Sequence, residues 1–246
     1  MQLIKKGFVL AAGLGTRMRH LTENCPKPLL TVNGKTMLDY ALDSLVRAGV
    51  EEAVVNTFYF AEQVEAQLAK RSDIKITVSR EDELLETGGG VKKAIEFFGN
   101  EPFYVLNSDV IWLDGEKDSL TEMADKWDSD KMDLMLLLHH VKTAQFHDDV
   151  ADYYMEEKFD KPVMTKYGRS DKEPNYIVAG PRIVHPRLFD GFHAGKKSFL
   201  ELFIKAEDKG TLYGLHHEGE WFHIGTPEAL EEANKIFARK SRCISY

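Results

Sequence analysis

The sequence has little cysteine and no excess of positive charge, and each shortage excludes a class of protein. Its 246 residues include two cysteines, Cys25 and Cys243, which are too few for a disulfide framework or a four-ligand zinc site. A cytoplasmic location is therefore the simplest interpretation. With 32 Lys and Arg against 40 Asp and Glu, the formal net charge is −8. This charge argues against a nucleic acid partner, because lysines and arginines supply most of that affinity.

Long hydrophobic runs are also missing. No stretch approaches the ~18 apolar residues that span a bilayer, so no membrane partner is expected. The N-terminal MQLIKKGFVLAAG superficially resembles a secretion signal, but its apolar run is too short and continues directly into GLGTR. We interpret it as the first strand of the fold.

What the sequence does contain is a regular alternation of strand and helix patterns in its first half. The predicted order is GFVLAA, helix 36–48, EAVVNT, a helix near 61–70, IKITVS, a helix near 91–98 and FYVLNSDV. This order predicts βαβ units and an α/β fold with a mostly parallel sheet. Thr36 and Asp39 form a capping-box-like start for the helix 36–48, and Gly49 supplies its end.

The second half is less regular. It is predicted to hold a helix near 119–128, the strand DLMLLLHHV, short strands and loops in the polar stretch from Thr143 to Pro174, the segments NYIVAGPRIVHP and TLYGLHH, and a final helix capped by Thr226. No internal repeat or linker interrupts the chain. We therefore expect a single domain over 1–246, with a first half ending at about residue 115.

The loop after the first strand, LAAGLGTRMRHLTENCPKPLL, holds the most informative motif. It lacks the Gly-Lys-Ser/Thr of a P-loop, and Met18 stands where a dinucleotide fingerprint needs glycine or alanine. Its glycines allow backbone N–H groups to approach a phosphate, and Arg17, Arg19 and Lys27 add charged donors. From these residues alone, a phosphate-binding loop and a flexible turn with solvated cations both remain open.

The same loop resembles the signature of the sugar-1-phosphate nucleotidylyltransferases. LLETGGGVKKA, NSDV, YIVAGPRIVHPRLF and WFHIGTPEAL resemble later motifs of that family, in the family's order, from Leu10 to Leu230. The resemblance implies a Rossmann-like, mostly parallel mixed sheet of the glycosyltransferase-A-like kind, with a small sugar-side lobe. Within the family, the motifs look most like uridylyltransferases of bacterial cell-wall recycling, which act on N-acetylmuramic acid 1-phosphate. Mannose-1-phosphate guanylyltransferases are close relatives that the motifs separate poorly.

The resemblance implies a reaction between a nucleoside triphosphate, with UTP favoured, and a sugar 1-phosphate. A phosphate oxygen of the sugar attacks the α-phosphorus in line and pyrophosphate leaves, with Mg²⁺ as the expected cofactor and Mn²⁺ or Co²⁺ as alternatives. No obligate protein partner is implied. A non-catalytic nucleotide-sugar-binding regulatory protein is the competing interpretation, but we expect such a protein to lose Arg17, Lys27 or Asp109, and all three are present.

Those three residues are the catalytic candidates that the resemblance implies. Arg17 matches the arginine over the triphosphate and is expected to hold the leaving pyrophosphate. Lys27, between Pro26 and Pro28, matches the lysine near the reacting phosphates. Asp109 follows an apolar strand, where a carboxylate suits magnesium that also binds phosphate oxygens.

The remaining candidates divide between the nucleotide, the sugar and the metal. Glu81 stands where relatives have a glutamine that contacts the base, and a carboxylate accepts hydrogen bonds from either uracil or guanine. The run Gly88 to Gly90 is predicted to precede a helix whose N-terminus points at the site. The nucleotide-binding candidates are Leu10, Ala12, Gly13, Gly15, Thr16, Glu81, Thr87, Gly88 and Ser108. The sugar-binding candidates are Asn175, Tyr176 and Gly180.

His223 stands where many relatives have an aspartate that serves as a second ligand of the metal. Imidazole is a poor magnesium ligand. Three outcomes stay open: magnesium relies on Asp109, phosphates and water; His223 donates to a phosphate; or a softer metal serves better. The first two together are favoured, and a buried structural histidine between Phe222 and Ile224 is the remaining alternative. No residue is assigned to the sugar phosphate, because the candidates lie in a stretch without a matching motif: Lys158, Lys161, Lys166 and Arg169.

Overall fold

The computed structural model describes residues 3–147, 150–165 and 169–243, with side chains to residue 241. Lys166 and the side chain of Cys243 lie outside the described residues. The strands are β1 Lys6–Leu10, β2 Thr31–Val32, β3 Lys35–Thr36, β4 Glu52–Thr57, β5 Lys75–Arg80, β6 Phe103–Asn107, β7 Val110–Leu113, β8 Leu134–His140, β9 Tyr153–Tyr154, β10 Phe159–Asp160, β11 Val163–Met164, β12 Tyr176–Val184, β13 Leu212–His216 and β14 Glu220–His223. The helices are α1 Met37–Arg47, α2 Ala61–Leu68, α3 Glu86–Lys93, α4 Ser119–Lys126, α5 Leu200–Asp208 and α6 Pro227–Cys243.

The main sheet has ten strands, eight of them in the order β10-β13-β8-β12-β6-β1-β4-β5. Strands β6, β1, β4 and β5 run parallel, as do β8 and β13, while β12 is antiparallel to both its neighbours. The predicted mixed, mostly parallel α/β sheet is therefore confirmed. The sheet takes strands from both predicted halves of the chain, and the division near residue 115 stays a prediction.

Apolar side chains cover both faces of this sheet. Alternate strand residues such as Val9 and Phe8 belong to two separate buried clusters. The first cluster includes residues of α1, α2 and α4, and the second includes residues of α3 and α5. Because both faces are packed, the edge at the carboxyl ends of the parallel strands is left for polar groups, which is where ligands of such sheets bind.

Most predicted element boundaries are confirmed within two residues. Thr36 caps α1, with its hydroxyl accepting a hydrogen bond from the N–H of Asp39 at 3.0 Å. Thr226 likewise accepts from Ala229 at 3.2 Å before α6. The polar stretch between β8 and β12 holds only short strands among its described residues, as expected, and these pair with one another or with the main sheet.

Two predictions about the site-forming segments are wrong in detail. The helix expected near 91–98 begins at Glu86 and is followed by a 3-10 helix, Ile95–Phe98. The glycines of LETGGG therefore lie inside α3 and do not precede it. The apolar strand FYVLNSDV is broken, because β6 ends at Asn107 and β7 begins at Val110. Asp109 consequently lies in the turn between two strands. None of the described helices is long and apolar enough to cross a membrane.

Candidate active site

The first loop leaves the carboxyl end of β1 and folds back over the edge of the sheet through two 3-10 helices, Thr16–Thr22 and Lys27–Leu29. Gly15 precedes the first of these helices and has φ +65°, a left-handed backbone conformation that residues other than glycine adopt only at a cost in free energy. A Cβ at this position would lie 2.8 Å from the Cβ of Lys27. Gly15 thus lets the two parts of the loop pack together around Lys27.

Lys27 joins this loop to the turn after β6. Its side chain is 11% exposed, and its Nζ lies 2.8 Å from Oδ2 of Asp109. Burial alone would raise the pKa of the Asp109 carboxyl. The charge and hydrogen bond of Lys27, together with the nearby His223 and Arg17, outweigh burial, so the pKa of Asp109 is lowered. A carboxylate with a fixed ammonium beside it is therefore available at neutral pH.

A cleft of about 410 Å³ lies beside this pair and is called the first cleft. It brings together five of the predicted nucleotide-binding residues: Leu10, Ala12, Gly13, Thr87 and Ser108. Lys27 and Asp109 close one end of it. The hydroxyl of Ser108 donates to the carbonyl of Leu10 at 2.7 Å, which fixes the ends of β1 and β6 against each other.

The other predicted nucleotide residues lie outside the lining of both described clefts. Thr16 is exposed at the start of the 3-10 helix, and Gly15 packs on Lys27. Glu81 is buried, with its two carboxylate oxygens accepting from Nδ2 of Asn56 at 2.7 Å and from the N–H of Leu85 at 2.9 Å. Asn56 stands between Glu81 and the first cleft, which it lines.

The glycines of α3 serve a packing role. The N–H groups of Gly88 and Gly89 both donate to the carbonyl of Lys197, at 2.9 and 3.0 Å. A Cβ at Gly89 would lie 2.1 Å from the carbonyl oxygen of Gly195. Because these N–H groups are already used, the glycines hold α3 against the segment before α5. Glu86 and Thr87, at the start of α3, line the first cleft.

A second cleft, of about 380 Å³, meets the first at the four residues that line both: Thr87, Asn107, Asp109 and Ser198. Gly180 lies in it, within a bulge of β12, with φ +105°, and a Cβ there would lie 2.7 Å from Cγ2 of Val110. Arg17 also lines this second cleft, beside Asp109, and does not line the first. The predicted sugar-side glycine and the predicted arginine therefore face the same space.

Asn175 and Tyr176 line neither described cleft. The side chain of Asn175 bridges the backbone of Met155, accepting from its N–H and donating to its carbonyl at 3.1 Å each. The ring of Tyr176 packs edge-on against His140 and His216. Their predicted sugar-binding role stays a prediction, and the cleft geometry favours Gly180 over both.

His223 is the last residue of β14 and borders the second cleft next to Asp109. Its ring stacks on Trp221 with the centroids 6.1 Å apart. Burial lowers the pKa of His223 although Asp109 opposes the shift, so the imidazole is neutral at neutral pH. A neutral imidazole donates one hydrogen bond and accepts one.

The donor set at Asp109 fits a magnesium ion that one protein carboxylate and substrate oxygens share. The described residues contain no cluster of three or more His, Cys, Asp or Glu side chains suited to a metal. Mg²⁺ commonly keeps several waters and takes one or two carboxylates together with substrate phosphates. One carboxylate, that of Asp109, at the junction of two clefts matches this mode of binding.

The cleft-lining residues that sequence reasoning missed include Asn56, Asn107 and Arg182. Asn56 and Asn107 are polar residues near the carboxyl ends of apolar parallel strands, and that position is itself a signal for a ligand site. Arg182 is a charged residue inside the apolar run YIVAGPRIV. It is buried, and burial lowers its pKa to about 9 against an opposing effect of Asp109, so the guanidinium keeps its charge at neutral pH.

Comparison with known proteins places this geometry in a family. A family model described as nucleotidyl transferase matches residues 6–240. The N-acetylmuramate alpha-1-phosphate uridylyltransferase of Caulobacter vibrioides is 36% identical over 233 residues, which cover 93% of this chain and 95% of that protein. The N-acetylmuramate alpha-1-phosphate uridylyltransferase of Neisseria meningitidis serogroup B is 30% identical over 235 residues, which cover 94% of this chain and 97% of that protein.

The fold is also shared with solved structures. UDP-glucose pyrophosphorylase complexed with UDP-glucose matches with a TM-score of 0.79 at 20% identity, over 96% of this chain and 99% of that one. The predicted enzyme class, a sugar-1-phosphate nucleotidyltransferase, is confirmed by the family match and the two curated relatives. Enzymes of this class generally use divalent metal ions. The chain belongs to the nucleotidyl transferase family.

Proposed function

We propose that this enzyme makes UDP-N-acetylmuramic acid and pyrophosphate from UTP and N-acetylmuramic acid 1-phosphate. The observation that carries the proposal is the meeting of two clefts at Asp109, the partner of Lys27, because a transfer between two phosphorylated substrates needs two adjoining sites. The names of the two curated relatives support UTP and the sugar.

In this proposal the triphosphate enters the first cleft and the sugar phosphate the second. An oxygen of the sugar phosphate forms a bond to the α-phosphorus, the bond from that phosphorus to the bridging oxygen breaks, and pyrophosphate leaves with the electron pair. The attacking phosphate is already largely ionised near neutral pH, so no general base is required. Catalysis depends on orientation and on charge neutralisation at the phosphates.

Lys27 and Arg17 supply that neutralisation. Lys27 is held by its contact with Asp109 and contacts the phosphates near the reacting centre. Arg17 is exposed and lines the second cleft beside Asp109. Because pyrophosphate leaves on the side opposite the attacking sugar phosphate, this role requires the exposed Arg17 side chain to turn from the second cleft toward the first when the triphosphate binds. The small residues Ala12 and Gly13 leave room for the nucleoside.

Glu81 remains the proposed contact for the base, acting either directly or through Asn56. The two oxygens of its carboxylate already accept hydrogen bonds from Asn56 and Leu85. In a direct contact, one of these oxygens would accept a second hydrogen bond, from the uracil N3–H. Asn56 already donates to Glu81 and accepts from the N–H of Ala11 at 2.8 Å. This network sets the position of Asn56 at the wall of the cleft.

Asp109 would hold Mg²⁺, with phosphate oxygens and water completing its coordination, and the ion would neutralise charge on the triphosphate. His223 donates to a phosphate and is not a ligand of the ion in this proposal. We expect His223→Asn to keep turnover within about tenfold, the size of one neutral hydrogen bond. A His223→Asp variant with higher magnesium affinity and undiminished turnover would contradict this assignment and place a metal ligand at position 223.

On the sugar side, Gly180 keeps the second cleft open beside Val110, and Asn175 and Tyr176 are retained only as supports for the strand that carries it. We place the reaction in the cytoplasm, consistent with the half-buried free thiol of Cys25. No obligate protein partner is required by the chemistry.

The test is pyrophosphate release from each of the four nucleoside triphosphates with a panel of sugar 1-phosphates, in Mg²⁺ and in Mn²⁺. The proposal predicts the highest kcat/KM for UTP with N-acetylmuramic acid 1-phosphate. Preference for GTP with mannose 1-phosphate would overturn the substrate assignment alone. If no pair of nucleoside triphosphate and sugar 1-phosphate releases pyrophosphate, the proposed reaction is overturned.

A further inference from the structure

Arg182 is a buried cation without a carboxylate partner among the described residues. Its side chain is almost fully enclosed, at 4% exposure, yet it forms no ion pair there. Two partly buried arginines of this chain are paired, by contrast: Arg187 with the buried Asp133, and Arg71 with three aspartates. Burying an unpaired charge costs free energy, so Arg182 calls for an anion that the protein itself does not provide.

The hydrogen bonds of Arg182 orient it without neutralising it. Its Nη1 donates to Oδ1 of Asn107 at 3.2 Å and to the carbonyl of Gly180 at 3.0 Å, and both acceptors are uncharged. Its Nε is buried and has no partner in the described part of the chain. The rings of Phe199 and Phe203 lie 4.4 and 5.8 Å from the guanidinium carbon. The planar group is thus fixed in direction, with donors to spare.

The location of this guanidinium is at the reacting end of the second cleft. In the sheet, Arg182 lies opposite Val105 of β6, and its side chain extends to Asn107, the last residue of that strand. Asn107 is two residues from Asp109 and, like it, lines both clefts. Asp109 is the one carboxylate among the described residues that line the second cleft, and Lys27 is already bound to it.

We propose that Arg182 binds the phosphate of the sugar 1-phosphate and orients it for attack on the nucleotide in the first cleft. The inference rests on the proposed function. A guanidinium presents two parallel N–H groups to phosphate oxygens, which fixes orientation as well as charge. The phosphate is favoured over an anionic group elsewhere on the sugar because the attacking oxygen must lie within about 3.5 Å of the phosphorus, and Arg182 is at the junction of the two clefts.

The experiment compares Arg182→Gln and Arg182→Lys with the wild type, measuring KM for each substrate with the other saturating. We expect Arg182→Gln to raise KM for the sugar 1-phosphate about 10- to 100-fold, the effect of losing a hydrogen bond to a charged group, and to leave KM for UTP within about twofold. Arg182→Lys keeps the buried cation but loses the planar fork, and we expect an intermediate value. An unchanged KM for the sugar 1-phosphate in both variants would overturn the inference.

Arg187→Gln is the control, since Arg187 lies three residues past β12, is partly buried and lines neither cleft. It is expected to lower the melting temperature and leave both KM values unchanged. A merely structural role of Arg182 predicts the same pattern for Arg182→Gln, and that pattern would contradict the inference. If Arg182→Gln does not fold, Arg182→Lys against Arg187→Lys gives the same comparison.

A second arm separates the phosphate from a carboxylate on the sugar. Calorimetric titration of wild type and Arg182→Lys with N-acetylmuramic acid 1-phosphate and with N-acetylglucosamine 1-phosphate, which lacks the carboxylate, gives the loss of affinity for each. An equal fold loss of affinity for both sugar 1-phosphates supports binding of the phosphate by Arg182. A loss of affinity confined to N-acetylmuramic acid 1-phosphate, which bears the carboxylate, would overturn the inference. Absence of turnover in the wild type with every pair would instead overturn the proposed function, and it is observed before any variant is made.

Discussion

Nζ of Lys27 lies 2.8 Å from Oδ2 of Asp109, across 82 residues of sequence. The contact joins the glycine-rich loop after β1 to the turn between β6 and β7, and it lies where the two clefts meet. It holds a cation that reaches the phosphates and a carboxylate that suits a metal in one arrangement. The loop and the turn therefore act as a unit.

Replacing Lys27 with Gln removes the ammonium while keeping most of the side-chain volume. We expect kcat to fall on the order of 10²- to 10³-fold, as for loss of one fixed donor at a developing charge. Lys5→Gln is the control, because Lys5 also pairs with a carboxylate, that of Glu51, but on the exposed surface. Steady-state pyrophosphate release measures both. Equal activity of the two variants would contradict the role of Lys27.

Arg17 and Arg19 lie in the same segment, Thr16–Thr22, which is kinked at Arg19, and they have different surroundings. Arg17 lines the second cleft, whereas Arg19 pairs with Glu228 at 2.9 Å on the surface. We expect Arg17→Gln to lower kcat on the order of 10²-fold and to raise KM for pyrophosphate in the reverse reaction, and Arg19→Gln to change neither. A larger effect of Arg19→Gln would show that the structure assigns the wrong arginine.

Gly15→Ala tests the packing of the loop on Lys27. The variant should lose ~1–2 kcal/mol of stability from its left-handed conformation, and its Cβ would displace Lys27. Gly34→Ala carries the same backbone strain, at φ +80°, with no atom within 4 Å of the new Cβ. Both variants should unfold at lower denaturant concentration, but only Gly15→Ala should lose kcat. Loss of activity in Gly34→Ala to the same extent would assign the effect to backbone strain alone.

Acid stability should depend on Asp43, which is distant from the clefts. Burial opposes its ionisation, but hydrogen bonds from Lys35 and Arg71, each at 2.7 Å, prevail, and the pKa of Asp43 lies below its ordinary 3.8. The stabilisation is therefore complete above pH 3.8 and is lost as the pH falls through the lower, folded-state pKa.

We expect Asp43→Asn to cost roughly 1 kcal/mol near neutral pH and to flatten the fall in unfolding free energy below pH 4, measured by urea titration at each pH. Asp125→Asn is the control, since Asp125 is exposed and makes no ion pair within the described residues. Parallel pH profiles for wild type and Asp43→Asn would contradict the assignment.

The order of elements and half of the nucleotide candidates were accessible from the sequence because they depend on local patterns. Strand and helix periodicity predicted the parallel sheet, and caps at Thr36 and Thr226 predicted helix starts. Gly88 and Gly89 were predicted to precede a helix, because glycine runs favour turns, but they lie inside α3 and their N–H groups donate to the carbonyl of Lys197, a contact between segments over 100 residues apart.

Distant contacts also explain why sequence reasoning overlooked Arg182, which lines the second cleft, and named Tyr176, which lines neither cleft. Both lie on β12, and only the register of that strand with β6 and β8 decides which one reaches the clefts. The bulge between Val178 and Arg182 changes that register within the strand. Local sequence does not encode which neighbour a strand meets, so the assignment required the folded sheet.

The central claim is that two clefts joined at Lys27 and Asp109 bring UTP and a sugar 1-phosphate together for direct transfer. The most direct measurement is the time course of products from UTP and N-acetylmuramic acid 1-phosphate with Mg²⁺, resolved by phosphorus NMR. The account predicts UDP-N-acetylmuramic acid and pyrophosphate in equal amounts, with both absent for Asp109→Asn. Formation of neither product by the wild-type enzyme, or equal rates for wild type and Asp109→Asn, would contradict it.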